Sequence, residues 1–364
     1  MSRQAFLIAF FLFAVCGVVR AQWEMESSGT TADLRGIDNV GGGVAWASGT
    51  SGTVLRTEDG GYLWQACAVP PGAEHLDFRG VQAFDANTAI VMSSGKGDLS
   101  RLYKTTDGCQ TWKLVFTNPD SDGFWDAVQF EPDQWGYLLG DPVNGFFVLF
   151  VTEDGGRTWI RQHNKGLRAR SSEQGVFAAS NSSMAASAGF VAFGSGGKGG
   201  AFAYSIRWYP IGKADPKGRR KRWARQPVPI GNHSESSGVF SLADRDSGIG
   251  WTIAVGGNYE SPDDQSATAA LTFDAGRSWV ASTTMPHGFR SAAAWDAASK
   301  TWITVGPNGT DISADDGKNW RALHPDPAMH EAADADRDWN ALSLPFVVGP
   351  HGRIGKLNPK ALAH

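Results

Sequence analysis

The sequence predicts an all-β fold, a seven-bladed β-propeller of four-stranded antiparallel blades, because one short phrase recurs along it. In this phrase a hydroxyl residue is followed by Asp two positions later, by Gly near the fifth position and by Trp at the eighth. The five clear copies are Thr57–Trp64, Thr105–Trp112, Thr152–Trp159, Thr272–Trp279 and Ser313–Trp320. Repeats of roughly 40–50 residues that each form a four-stranded sheet are typical of propellers. The composition agrees, because 45 Gly and 15 Trp in 364 residues favour many short strands joined by turns.

Each phrase closes a longer unit whose apolar segments predict four strands. In the first copy these segments are Leu34–Ile37, Val44–Gly49, Thr53–Arg56 and Trp64–Ala68. The tetrapeptides that open copies two to seven begin at Phe78, Trp125, Glu173, Ser236, Phe289 and Trp339. The fourth copy has lost its phrase to an insertion that runs to about Trp223. The spacing therefore predicts seven units without a linker or a second domain.

The seventh unit ends before a fourth strand, and the missing strand is found near the N-terminus. Trp23–Glu26, followed by a loop to Leu34, has the same order as the segment that follows each phrase. We expect this strand to complete the last blade and close the ring, which is how radial β-repeats protect their edges.

The first 21 residues have the features of a signal peptide. A positive start at Arg3 precedes an apolar run over residues 5–19, and a small-residue site ends at Ala21. The run is shorter than the ~20 residues that a membrane-spanning helix needs, and no other stretch could span a membrane. We expect residues 1–21 to be removed and residues 22–364 to form one propeller domain that is periplasmic or extracellular. A lipoprotein anchored at Cys16 is the alternative.

Two cysteines, Cys67 and Cys109, remain after removal of the signal peptide. An exported protein meets an oxidising environment in which a disulfide is permitted. The sequence leaves open whether these two residues pair.

The Asp residues of the repeated phrase are interpreted as structural. Asp can fold its carboxylate back onto the backbone N–H groups of the following residues, and Gly supplies a positive φ at the turn. The alternative, catalysis or metal binding, requires convergence, whereas equivalent positions of separate blades lie around a ring. The residues concerned are Asp59, Asp107, Asp154, Asp274 and Asp315. In the second copy Cys109 stands where Gly is usual, and the sequence predicts that Gly108 carries the turn.

Antiparallel strands place the opening tetrapeptides at the opposite face, around the mouth of the central channel. Their second positions are Arg35, Arg79, Asp126, Gln174, Ser237, Arg290 and Asn340, and Trp125 and Trp339 stand before two of them. A ring with three Arg favours an anionic ligand, because the planar guanidinium matches a carboxylate. We expect a ligand or partner site there, formed by Arg35, Arg79, Trp125, Asp126, Gln174, Arg290, Trp339 and Asn340. The alternative is a solvated channel mouth.

The insertion in the fourth unit is strongly basic, with Lys217, Arg219, Arg220, Lys221 and Arg222 in a short run. A basic docking loop for an acidic protein or an anionic surface is one interpretation, and a solvated loop is the other. Nucleic acid is not an expected partner of an exported protein, and the net charge of −4 carries no polyanion signature.

Motifs for other chemistry are absent from the sequence. It contains no HExxH, GxSxG or P-loop motif, and no paired Cys/His spacing suited to zinc. The acidic loop with His324, His330 and Glu331 is interpreted as solvated rather than as an ion site. The sequence therefore predicts no cofactor and no metal.

The repeated phrase resembles the Asp-box, the repeat of bacterial neuraminidases. With the openings Leu34–Gly36 and Phe78–Gly80, the whole pattern is most similar to the photosystem II stability/assembly-factor type of propeller. This resemblance implies an assembly or scaffold factor. We therefore expect a non-catalytic propeller that acts as a binding or assembly scaffold for a protein or glycan partner.

A glycoside hydrolase that uses the mouth face, sialidase-like or with two carboxylates, is the alternative function. A two-carboxylate mechanism needs facing acids about 5–10 Å apart. It would require Asp126 to face Glu260, Asp263 or Asp264, and Tyr259 beside Glu260 is the candidate for a sialidase-like nucleophile.

Overall fold

A computed structural model describes residues 22–132, 135–187, 190–207, 223–245, 250–325 and 331–362. The regular structure of these residues is β, apart from two short 3-10 helices at Gly97–Leu99 and Pro359–Leu362. None of the helices in the described ranges is long and apolar enough to cross a membrane. The predicted signal peptide lies outside the described residues. The chain is thus an all-β protein of antiparallel sheets, consistent with a propeller.

Three four-stranded sheets follow one another from Leu34 onward, and their neighbouring strands are antiparallel. The first contains β2 (Leu34–Gly41), β3 (Val44–Gly49), β4 (Val54–Thr57) and β5 (Gln65–Ala66). The second contains β6 (Phe78–Ala83), β7 (Ala89–Ser93), β8 (Arg101–Thr105) and β9 (Lys113–Thr117). The third contains β10 (Trp125–Phe130), β11 (Gly136–Val143), β12 (Phe146–Thr152) and β13 (Ile160–Arg161).

The next nine strands form one sheet made of two runs that meet at the pair Gly196–Gly238. The first run contains β14 (Gln174–Gly175), β15 (Met184–Ser187), β16 (Phe190–Gly197), β17 (Phe202–Arg207) and β18 (Ala224–Pro227). The second run contains β19 (Ser237–Asp244), β20 (Thr252–Asn258), β21 (Ala269–Thr272) and β22 (Val280–Ala281). Both β14 and β15 pair with β16, so the first strand of this run is interrupted.

Two more four-stranded sheets complete the described chain. One contains β23 (Ala292–Asp296), β24 (Thr301–Gly306), β25 (Gly309–Ser313) and β26 (Arg321–Leu323). The other contains β27 (Ala341–Ser343), β28 (Phe346–Val348), β29 (Ile354–Leu357) and β1 (Trp23–Glu26). Strand β1 pairs with β29, and Trp23 stands opposite Leu357.

The interruption between β14 and β15 is a segment, residues 176–183, that runs between the first strands of other sheets. We call it the crossing segment. Asn181 Oδ1 accepts a hydrogen bond from the N–H of Val128 (2.8 Å), and Asn181 Nδ2 donates to the carbonyls of Val128 (2.9 Å) and Val81 (3.3 Å). Ser180 Oγ donates to the carbonyl of Ser291 (2.9 Å). This segment, which the repeat pattern does not predict, links β6 and β10 to the chain beside β23.

Aromatic side chains pack between neighbouring sheets. The rings of Trp46 and Trp112 are 6.4 Å apart, and the rings of Trp64 and Phe346 are 5.4 Å apart. Cys67 and Cys109 form a disulfide with a Cα–Cα distance of 5.3 Å, within the usual range for such bonds. The disulfide therefore joins the first two sheets covalently at a position where they also pack.

The repeated phrase folds into the same turn in all five clear copies. In the third copy, Asp154 Oδ1 accepts from the backbone N–H of Arg157 and of Thr158, both at 2.9 Å. Thr152 Oγ1 accepts from the N–H of Gly156 at 2.9 Å, which closes the turn from inside. The remaining copies are centred on Asp59, Asp107, Asp274 and Asp315. The carboxylates are thus engaged within their own turns.

The second copy of the turn departs from the prediction that Gly108 carries it alone. Cys109 itself has a positive φ of 64°, next to Gly108 at 68°. Its N–H donates to Thr105 Oγ1 at 3.1 Å, and its sulfur is held by Cys67. These two attachments hold a side-chain-bearing residue in a conformation that Gly adopts more readily.

Candidate functional site

A pocket of about 460 Å3 lies where the first strands of several sheets begin, at the edge opposite the repeated turns. We call it the mouth pocket. It is lined by Arg35, Arg79, Phe124, Asp126, Asp141, Val176, Phe177, Ala178, Ala179, Phe240, Tyr259, Phe289, Ser291 and Asn340. The crossing segment supplies residues 176–179 of this lining. The mouth pocket brings together four of the predicted mouth residues, namely Arg35, Arg79, Asp126 and Asn340.

The two arginines of the pocket share one acid. Arg79 Nε lies 2.7 Å from Asp77 Oδ2, and Arg35 Nε lies 3.3 Å from Asp77 Oδ1. Both arginine side chains remain partly exposed, at 28% for Arg35 and 30% for Arg79. Arg79 also donates to the carbonyl of Ala178 at 3.2 Å, which fixes it against the crossing segment. Arg35 Nη2 also lies 3.9 Å from Asp33 Oδ2, so the two guanidinium groups are held by two acids, and their partly exposed N–H groups can still donate to an anionic ligand.

The floor of the pocket contains two acids with raised pKa values. Burial raises the pKa of Asp126 well above its ordinary value, the negative charge of Asp141 raises it further, and Arg79 opposes both effects. Burial also raises the pKa of Asp141 to about 6, although the N–H of Val176 donates to its Oδ1 at 2.9 Å. No side chain among the described residues hydrogen-bonds to either carboxyl oxygen of Asp126. Pairs of acids with displaced pKa values are more frequent at functional sites than elsewhere.

An aromatic cluster forms one wall of the pocket. The rings of Phe177 and Phe240 stack at 3.9 Å, and Phe289 contacts Phe240 edge-on at 4.6 Å. Tyr259 stands across both stacked rings at 6.4 Å and 6.1 Å, and 49% of its surface is exposed. A partly exposed aromatic wall beside charged groups suits an amphipathic ligand such as a peptide.

Asn340 lies at the pocket with its amide engaged, because its Nδ2 donates to the carbonyl of Leu34 at 2.8 Å. It joins the last sheet to the first and still lines the pocket. Asn340 therefore links two sheets and is also part of the pocket lining.

The structure places Arg290 and Gln174 away from the pocket, contrary to the predicted ring. Arg290 is fully buried and donates through Nε to Asp311 Oδ2 at 2.8 Å and through Nη1 to Asn308 Oδ1 at 2.6 Å. Gln174 is buried and donates to Ser195 Oγ at 3.0 Å. Their hydrogen-bonding groups are used inside their own sheets, so neither faces a ligand.

Trp125 and Trp339 are also core residues rather than lining residues. Each is only 1% exposed. Trp125 stacks on Phe116 at 5.2 Å, and Trp339 packs against Trp23 at 6.0 Å. Large apolar side chains at the start of an inner strand fill the space between sheets. An aromatic residue at this position of the sequence is equally compatible with core packing and with ligand contact.

The remaining predicted sites are the basic loop and the acidic loop. The basic residues Lys217, Arg219, Arg220, Lys221 and Arg222 lie outside the described residues. Within the described ranges, no group of three His, Cys, Asp or Glu side chains is arranged to hold a metal ion. Glu331 of the acidic loop accepts a hydrogen bond from the N–H of Gln22 at 2.6 Å.

The acids proposed as partners of Asp126 in a hydrolase do not line the mouth pocket. Glu260 accepts from Ser236 Oγ at 3.0 Å, Asp263 accepts from Asn308 Nδ2 at 3.2 Å, and Asp264 caps the N–H of Ser266 at 2.9 Å. The acid beside Asp126 is Asp141, a residue that the sequence analysis did not consider.

Several lining residues were not predicted as site residues, and four of them have a signal in the sequence. Phe177 and Phe240 directly follow the opening tetrapeptides of copies four and five, and Phe289 begins the opening of copy six. Aromatics at the same position of two successive repeats, with a third at the start of the next repeat, indicate a shared wall. Asp141 directly follows the Gly that ends the second predicted strand of copy three, which places it at the same edge as Asp126.

The fold is that of known propellers. A structure described as YCF48 bound to D1 peptide matches with a TM-score of 0.60 and 17% identity, over 92% of this chain and 96% of that one. YCF48 from Cyanidioschyzon merolae matches with a TM-score of 0.59 and 19% identity, over 93% and 100%. The resemblance to the photosystem II assembly-factor type of propeller, expected from the sequence, is confirmed at the level of the fold.

A GH74 xyloglucanase from Xanthomonas campestris also matches, with 15% identity over 77% of this chain and 47% of that one. Its TM-score of 0.36 is too low to support an argument about function. No family model and no curated protein matches the chain.

Proposed function

We propose that this chain is an exported, seven-bladed propeller that binds an extended segment of a protein partner at the mouth pocket and acts as a binding or assembly scaffold. The count of seven is supported by the six sheets, one of which consists of two runs joined at Gly196–Gly238. Ring closure is supported by the pairing of β1 with β29 and by the bond from the N–H of Leu34 to the carbonyl of Gly349 at 3.0 Å.

The observation that carries the proposal is the combination of Arg35 and Arg79 with a partly exposed aromatic wall in one pocket. Arginines held by Asp77 are preorganised to accept a carboxylate, and the rings offer apolar surface to the neighbouring side chains of a peptide. The structural neighbour with a bound peptide supports a protein partner over a glycan.

Export is supported by the N-terminal sequence and by the disulfide. The Cys67–Cys109 bond is of a kind that persists mainly in oxidising compartments. We therefore propose removal of residues 1–21 and a domain over residues 22–364 in the periplasm or outside the cell. A glycoside hydrolase is not favoured, because the predicted partner acids of Asp126 hydrogen-bond elsewhere.

A peptide-display selection against the purified domain tests the proposal, with a glycan array as a parallel arm. Selected peptides are then measured by fluorescence anisotropy against the variant R35Q/R79Q. We expect affinity to fall about tenfold or more, because two charge-assisted contacts are lost at a partly exposed site.

The matched control is R157Q/R277Q, which removes two exposed arginines from repeated turns at the opposite edge. It changes the net charge equally and should leave the affinity unchanged. Selection of no peptide, or equal binding by R35Q/R79Q and the unaltered domain, would refute the proposal. Binding confined to the glycan array would replace the protein partner with a carbohydrate.

A further inference from the structure

The buried acid pair of the mouth pocket has no side-chain hydrogen-bond donor among the described residues. Asp126 is fully buried, and no described side chain donates to either of its carboxyl oxygens. An unsatisfied buried carboxyl group is costly whether it is protonated or ionised. Asp141, its neighbour in the pocket lining, accepts a single N–H at Oδ1. The fold thus keeps two carboxyl groups where a donor from outside would remove an energetic cost.

The arginines of the same pocket do not donate hydrogen bonds to this acid pair. Arg79 hydrogen-bonds to Asp77 and to the carbonyl of Ala178, and Arg35 forms an ion pair with Asp77. The pocket therefore has two separate electrostatic regions. One is the arginine region around Asp77, and the other is the acid pair, on which the charge of Arg79 acts without a hydrogen bond.

Aromatic rings line the same pocket as the acid pair. Phe177 is half-buried, stacks on Phe240 and faces Tyr259, which is half exposed. A cation within about 6 Å of an aromatic face is attracted by the ring quadrupole. Long basic side chains also have apolar stems that pack on such rings while the charged head reaches further.

The geometry points to a cation subsite in the mouth pocket: the ammonium or guanidinium group of a Lys or Arg side chain passes along Phe177 and Tyr259 and donates to Asp126 and Asp141. This inference rests on the proposed function and adds to it the class of residue that the partner presents. With Arg35 and Arg79 nearby, the preferred segment carries a basic residue beside an acidic group. The pocket then selects a bipolar peptide rather than a uniformly acidic one.

Two small probes test the subsite without a known partner. They are N-acetyl-lysine N-methylamide and its norleucine counterpart, which has the same apolar stem and no ammonium group. The domain is labelled with 3-fluorotyrosine, and Tyr259→Phe identifies the resonance of Tyr259 among the six tyrosines. We expect the lysine probe to shift this resonance saturably and to bind at least about tenfold more tightly than the norleucine probe.

The variant D126N/D141N should bring the two probes within about twofold of each other, because neutral amides no longer attract the ammonium group. The control D244N changes a partly buried acid outside the pocket, which accepts a hydrogen bond from Thr252 Oγ1, and should keep the preference. Equal binding of the two probes by the unaltered domain would overturn the inference, and this comparison needs no variant to fold. A lysine preference retained in D126N/D141N would also overturn it.

The outcomes for the subsite and for the proposed function are distinguishable. Selected peptides without any basic preference would refute the cation subsite and leave peptide binding intact. A lysine-probe preference without any selected peptide would refute peptide binding and leave the cation subsite as a site for small amines.

Discussion

Replacement of Asp141 by Asn should make the protein more stable above pH 6 and leave its stability almost unchanged near pH 4. Burial raises the pKa of Asp141 from 3.8 to about 6. A folded-state pKa above the unfolded value means that the folded state favours the protonated acid. The stability associated with protonation is complete below about pH 4 and is lost as the pH rises through about 6.

The magnitude follows from the shift of about two pKa units, which corresponds to about 3 kcal/mol. The side chain is not fully buried, so we expect about half of this, roughly 1–2 kcal/mol, at pH 7.5. An Asn side chain resembles the protonated acid, and its Oδ1 can still accept from the N–H of Val176. The gain should therefore come from the charge alone.

Urea unfolding followed by tryptophan fluorescence at pH 4 and at pH 7.5 measures the difference in free energy of unfolding. The control is D98N, because the Asp98 side chain is 77% exposed and should change stability by less than about 0.5 kcal/mol at either pH. A D141N effect that is equal at both pH values, or a destabilisation at pH 7.5, would refute the account of the acid pair.

Two further predictions concern the frame that holds the pocket. The Cys67–Cys109 bond spans 42 residues, and the variant C67S/C109S should lower the free energy of unfolding by about 4 kcal/mol; unchanged urea midpoints would contradict this. The variant N181G keeps a positive φ but removes three hydrogen bonds from the crossing segment, and it should cost about 2–3 kcal/mol in the same assay. N144G, at an exposed positive-φ Asn, should cost less than about 0.5 kcal/mol, and equal effects of the two variants would contradict the prediction.

The order of strands could be predicted because it depends on local patterns. Each repeated phrase contains its own turn, in which Asp154 and its equivalents bond to residues three and four positions later. The strand at Trp23–Glu26 was predicted from the same pattern, and it pairs with β29. Periodic sequence information of this kind is sufficient for sheets that form between neighbouring segments.

The pocket could be predicted only in part, because its composition depends on contacts between distant residues. The second position of an opening tetrapeptide places Arg79 and Arg290 at equivalent points of two sheets. Arg290 is withdrawn from the mouth by Asp311, whereas Arg79 is held at the pocket by Asp77. The tetrapeptide pattern contains no information about which acid lies beside each arginine.

The crossing segment was missed for a similar reason. Its Ser and Asn residues are typical of a surface loop, and their bonds to Val81, Val128 and Ser291 exist only after the sheets have assembled. Because Val176 and Phe177 of this segment also line the pocket, part of the lining of the site is determined by the least predictable part of the fold.

The pairing of β1 with β29 has a consequence for the biogenesis of the protein. Trp23 is 2% exposed in the finished fold and packs against Trp339, yet it belongs to the first strand to be synthesised. Contacts between residues so far apart in sequence form late and slowly. Until residues 354–357 emerge, the nascent chain carries an uncovered indole and an unpaired strand near its leading end, a combination that favours association with other chains. A holding chaperone that recognises this N-terminal segment would therefore have its greatest effect on yield before synthesis is complete.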